Sequence, residues 1–239
     1  MTGDVPIIYL DDRVAAADKP PRLTVVPAAG DPGRDCLRFR LESQLGAKLW
    51  VVHRLDRDTS GIVLFARDAD THRALGAAFE ARRVHKTYLA FTSGAPPDRE
   101  GLIDTPLHPA RRGKARPARP REAGASSALT GYAVKRRWHR GAERVALIEA
   151  RPETGRHHQV RVHLRSIGAP VLFDPLYGGG PAGRHLGAPA NRLALHASRL
   201  AVPGAGPADE PLVLESPLPG DLASLLQWLD DTWEDDGAG

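Results

Sequence analysis

The sequence predicts an α+β fold with a mostly antiparallel sheet. Three observations predict it. Short β-rich runs recur along nearly the whole chain, the helical stretches between them follow no regular β-α alternation, and no clear linker interrupts the 239 residues. A chain of this length can bury a sizeable core. It is expected to form one domain over 1–239, with a basic loop at 106–126 and a frayed tail at 232–239.

The elements follow in order. PIIYLDDRVAAADKPPRLTVVP reads as short strands broken by turns, with Pro20 and Pro21 as punctuation. DPGRDCLRFRLESQLG reads as a helix. Asp31 can cap it, Pro32 suits its first turn, and Leu37, Leu41 and Leu45 recur at helical spacing before Gly46. LWVV and GIVLFARD are strand-like. DTHRALGAAFEARRV reads as a second helix with Leu75 and Phe79 on one face. HKTYLAFTS alternates and is rich in β-formers, so it reads as a strand.

Residues 106–126 hold Pro, Gly and six Lys or Arg between 111 and 121, a loop or insertion expected to be mobile. SALTGYAVKRRWH and ERVALIEARPETG look like paired strands. HHQVRVHLRSIG reads as a short helix with Val160, Leu164 and Ile167 toward the core. NRLALHASRLAVP and EPLVLES are late strands, and PLPGDLASLLQWLDDTW is a terminal helix.

Composition excludes several classes. Hydrophobic content of 41% and charged content of 26% are those of a soluble globular protein. The net charge of +4 tilts toward anionic partners. Of 33 basic residues 28 are arginine, which forks onto phosphates and stacks on bases, although a G·C-rich coding sequence raises arginine too. The lone Cys36 permits no intramolecular disulfide and no Cys-based metal cage, which fits the cytoplasm. MTGDVPIIYLDD lacks the basic start and apolar stretch of a signal peptide, and GIVLFA is far too short for a membrane span.

The densest chemistry lies in WVVHRLDRDTSGIVLFARD. If VHRLDR is extended, Arg54 and Asp56 share one face, and His53, Leu55 and Arg57 the other. A carboxylate beside a guanidinium stays ionised and oriented, and can act as nucleophile or general base; it can equally be a plain salt bridge. The order H-R-L-D differs from the kinase H-R-D, and no phosphate-binding loop accompanies it. A second constellation is RPETGRHHQVRVHLRSIG. On a helix, Arg161 and Arg165 stack four apart, as do Gln159 and His163. His157, His158 and His163 could hold a metal if a carboxylate joined them, but H-E-x-x-H is absent. A third is HKTYLAF, where Lys86, Tyr88 and Ala90 share a face. Tyr88 is either a stacking aromatic or a core residue.

HRLDRDTSGIVLFARD, KTYLAF, RPETGRHHQVRVHLRSIGAPVLFDPLYG and LALHASRL stand in the order and spacing of the RluA-type pseudouridine synthases, which this chain resembles from about Ile7 to beyond Leu200. The resemblance implies the pseudouridine synthase fold, a long curved mixed sheet with a central cleft. It implies isomerisation of uridine to pseudouridine in ribosomal or transfer RNA, with no cofactor and no metal. By position, Asp56 matches the catalytic aspartate and Arg54 the arginine that fills the space of the flipped base. Tyr88 matches the tyrosine against the target base, and Arg161 the arginine that pairs with the catalytic carboxylate. Flipping a base costs a few kcal/mol, which an inserted arginine and an aromatic platform offset.

Lys86, Arg156, Arg111, Arg112, Lys114 and Arg116 are further candidates for RNA contact. Many family members carry a small N-terminal RNA-binding domain. Strand one begins here by Pro6, so affinity is expected from the catalytic domain, acting as a monomer. Three positions depart from the family pattern. Arg22 replaces a turn glycine, His157 a capping threonine, and Phe173 the glycine of a Gly-Asp pair. The rival readings are a catalytically silent RNA-binding protein on the same fold and a metal-dependent hydrolase.

Overall fold

The computed structural model describes residues 4–27, 35–111, 113–178, 187–206 and 210–236. Along the chain run β1 (Ile7–Leu10), β2 (Val14–Lys19), α1 (Leu37–Leu45), β3 (Trp50–Val51), β4 (Ser60–Ala66) and α2 (Ala69–Glu80). Then follow β5 (His85–Ser93), β6 (Glu100–Asp104), β7 (Leu107–Ala110), β8 (Lys114–Pro117), β9 (Leu129–Arg140) and β10 (Glu143–Pro152). The last are α3 (Gln159–Ser166), β11 (Leu195–Val202), β12 (Leu212–Glu215), α4 (Gly220–Thr232) and β13 (Glu234–Asp235). The fold is α+β, and its strand pairs are mostly antiparallel, as predicted. Two compact units divide it: Met1–Lys86 with Ala197–Pro217, and Thr87–His196 with Leu218–Gly239.

In the first unit β2 lies between β1 and β4, and β3 pairs with the opposite edge of β4. All seven residues of β4 are buried, which explains its unbroken apolar run: both faces are covered. Val14, Ala16, Ile62 and Leu64 pack with Leu75 and Ala78 of α2 and with Leu200 and Leu214. Gly61 has φ 113°, and a Cβ there would lie 2.2 Å from the Ala197 carbonyl oxygen, so only glycine fits. Asp68 caps α2 by accepting from Thr71 N–H at 2.8 Å. Leu37 and Leu41 anchor α1, which ends at left-handed Gly46. The expected cap at Asp31 lies outside the described residues.

In the second unit β9 and β10 form a long hairpin, and β10 also pairs with β5. Phe91, Trp138 and Ile148 pack against Leu222, Leu225 and Leu229 of α4. Two expectations need correction. The basic segment 106–126 is not simply a loop: β7 and β8 pair within it, turning Leu107 and Ala115 inward. Its prolines and cations hide the two strands, each of which buries a single residue. The frayed tail is also partly ordered. Glu234 and Asp235 form β13 on the edge of β9. There Asp235 meets Arg136 at 2.6 Å, and Glu234 and Asp236 meet the two ring nitrogens of His139 at 3.1 and 2.5 Å.

Candidate active site

The first unit carries His53, Arg54, Asp56 and Lys86. After Val51 the chain leaves β4, and His53 takes over the pairing: its Nε2 accepts the Leu64 backbone N–H at 2.9 Å. That bond needs an unprotonated Nε2. Burial and the charge of Lys86 agree with it, lowering the imidazole pKa to about 3, and the ring stacks on Phe79 with centroids 4.9 Å apart. Leu55 is buried, Arg54 is exposed, and His53 and Asp56 are both half-buried. Arg57 is exposed at a turn that the Thr59 N–H closes onto the Asp56 carbonyl at 3.2 Å. Burial also lowers the pKa of Lys86.

Sequence reasoning missed Lys19. Its ammonium is fully buried and donates to the carbonyls of Pro20 at 2.9 Å, Leu23 at 2.8 Å and Arg57 at 3.0 Å. One charge thus ties the Pro20–Leu23 turn to the residue after Asp56. The signal was faint: a lysine ending an apolar strand, followed by two prolines that offer no N–H to neighbouring carbonyls. Arg22, in that turn, has φ 65°, the left-handed conformation of the glycine it replaces.

The second unit carries Tyr88, Arg111, Lys114, Arg116, Arg156 and Arg161; Arg112 lies outside the described residues. Arg161 is buried on α3, and its Nε and Nη2 donate to the two oxygens of Asp174, both at 2.8 Å. Asp174 Oδ1 also accepts the N–H groups of Leu176 at 2.8 Å and Tyr177 at 3.0 Å. Burial alone would raise the Asp174 pKa; Arg161 and the two N–H groups outweigh it and hold the carboxyl below its ordinary value. Breaking such a buried pair from one side costs about 3–5 kcal/mol. The Arg161 guanidinium lies over the Tyr177 ring, 5.0 Å from its centroid. Asp174 follows Phe173, which takes φ 57° where a glycine was expected.

α3 has no side-chain cap at His158, but Gln159 reaches back. Its Oε1 accepts from Arg156 N–H at 3.0 Å and Thr154 Oγ1 at 2.7 Å, and its Nε2 donates to the Leu129 carbonyl and to Thr130 Oγ1. His163 spends Nε2 on the Thr105 carbonyl and Nδ1 on Thr130, both at 2.9 Å, which removes it as a metal ligand. Tyr88 is half-buried on β5 and packs against the core of its unit.

The candidate cations differ in what holds them. Arg156 Nε bonds the Ser127 carbonyl at 3.0 Å. Lys114 Nζ bonds the Leu176 carbonyl at 3.2 Å. Arg116 pairs with Glu122 at 2.8 Å, holding that carboxyl down at about 2. Arg111 is exposed at the β7–β8 tip.

Residues 13–166 match the family described as RNA pseudouridylate synthase. The chain is 38% identical over 245 aligned residues to ribosomal large subunit pseudouridine synthase D of Xanthomonas campestris, covering 95% of this chain and 70% of that one. It is 35% identical over 222 residues to an uncharacterized RNA pseudouridine synthase of Zymomonas mobilis, covering 92% and 96%. The solved structure of human RNA pseudouridylate synthase domain containing 4 superposes with a TM-score of 0.75 at 28% identity, covering 94% and 93%. The chain belongs to the RNA pseudouridylate synthase family.

Proposed function

We propose that this protein converts selected uridines of ribosomal or transfer RNA to pseudouridine, with Asp56 as the catalytic carboxylate. The observation that carries the reading is a half-buried aspartate on a turn anchored through Lys19 and the neutral His53. Such anchoring suits a group that must meet a flipped nucleotide in one geometry. Arg54, exposed two residues before it, enters the space the base leaves. Tyr88 lies against the target base, and Arg161 belongs to the same catalytic set. The base leaves the sugar through nitrogen and rejoins through carbon. The carbon that rejoins gives up its proton and the freed nitrogen takes one, so no atom is lost and no electron is handed to an acceptor. Arg111 and its neighbours on the β7–β8 hairpin add phosphate contacts.

The test is a map of pseudouridines in cellular RNA from cells with and without the protein. One or a few sites are expected to vanish in the deletion and to return with wild type but not with Asp56→Asn. Persistence of every site, with no product from purified protein on unmodified ribosomal or transfer RNA transcripts, would overturn the proposal.

A further inference from the structure

The β7–β8 hairpin is tied to the Arg161 site through Tyr177. The Tyr177 hydroxyl accepts the Ala115 backbone N–H of β8 at 2.7 Å and lies 2.8 Å from His158 Nδ1 at the start of α3. The same residue's ring carries the Arg161 guanidinium, and its backbone N–H binds Asp174, the carboxylate that grips Arg161 edge-on. Two more tethers run alongside: His157 Nε2 to the Gly113 carbonyl at 2.9 Å and Lys114 Nζ to the Leu176 carbonyl. One buried residue therefore touches the basic hairpin with the tip of its side chain, the arginine with its ring face and the arginine's counter-ion with its backbone N–H.

We propose that Tyr177 is a positioning residue that transmits RNA engagement at the β7–β8 hairpin to the Arg161–Asp174 pair. An RNA phosphate at the hairpin tip restrains the strand that donates to the hydroxyl. A restrained hydroxyl fixes the ring, and the ring and the 174–177 main chain fix the plane of the guanidinium. The route is a contiguous set of hydrogen bonds and one cation–π contact. The proposal rests on the reading of Arg161 as part of the catalytic site.

Amide hydrogen exchange tests it, with a uridine-rich single-stranded RNA as the probe and wild type beside Tyr177→Phe, which keeps the ring and removes the hydroxyl. RNA is expected to slow exchange at both 107–117 and 174–178 in wild type, but at 107–117 alone in the variant. The proposal is overturned if RNA leaves either segment of the wild type unprotected, or if the variant retains protection at 174–178. These outcomes do not depend on turnover, so they separate this proposal from a failure of the enzymatic one. On an RNA that the wild type modifies, Tyr177→Phe should lower the rate at saturating RNA roughly tenfold while KM moves less than twofold. A loss confined to KM would make Tyr177 a binding residue only.

Discussion

Replacing Lys19 by methionine keeps the length of the stem and removes the charge. In the native protein the ammonium is fully buried and satisfies three carbonyls, those of Pro20, Leu23 and Arg57. A hydrogen bond to a charged group contributes about 1.5–3 kcal/mol, and a buried acceptor left without a donor costs about 1–3 kcal/mol. Part of this is recovered because the ammonium no longer has to leave water. The net loss is expected to be about 3–5 kcal/mol, the usual range for breaking a buried charged network from one side. For a chain of this size that lowers Tm by about 6–20 °C. Urea unfolding and calorimetry measure it directly. Because Arg57 adjoins Asp56, the variant should also lose more in kcat than in KM, assayed below its new Tm. A stability loss under about 1 kcal/mol would refute the idea that this ammonium holds the Asp56 turn.

Three further outcomes are expected. Arg22→Gly should raise stability by up to about 1 kcal/mol, because glycine adopts φ 65° without strain, whereas Phe173→Gly at φ 57° should cost roughly 2–3 kcal/mol through lost core contact; parallel thermal melts with equal shifts would contradict this. The depressed pKa of His53 means the unfolded chain takes up a proton near pH 6.5 that the fold refuses until about 3. Stability therefore falls as pH falls between those values, by up to about 1.4 kcal/mol per unit from this residue, and His53→Gln, which can still accept the Leu64 N–H, should flatten the slope measured by urea titration. Arg111→Glu should weaken RNA binding uniformly across sequences and reduce the salt slope by about one, and an unchanged slope would reassign the hairpin tip.

How much of this was legible in the sequence depended on periodicity. HKTYLAFTS alternates, and β5 occupies the same nine residues. Leu37 and Leu41 mark the buried face of α1; in α3 Val160 and Leu164 are buried as expected, but so is every residue from Gln159 to Leu164. β7 and β8 escaped because Pro109 and Pro117 stand at exposed positions, Lys114 and Arg116 are only half-buried, and the two inward residues cannot announce a period by themselves. At the site, Asp56, Arg54, Tyr88 and Arg161 were named from motif order. Asp174 was noted only as half of an altered dipeptide, since nothing local indicates that a carboxylate thirteen residues away will grip Arg161. Lys19 went unremarked, and lysines are rarely fully buried. Arg22 and Phe173 stand where the resemblance sets a glycine, and both take the left-handed backbone with their side chains in place.

β13 has a practical consequence. Its two residues close the end of β9 beside Trp138 and His139, and with Asp236 just after them they bring three carboxylates onto a strand otherwise rich in Arg and Lys. Trimming the chain after Trp233 would expose unpaired main-chain groups and leave Arg136 with Asp230 alone as its counter-charge. The shortened protein would gain self-association through the bare edge and a salt-sensitive background affinity for any polyanion. Designers of shortened or fused versions should therefore keep Glu234 to Asp236 and add their extensions beyond them.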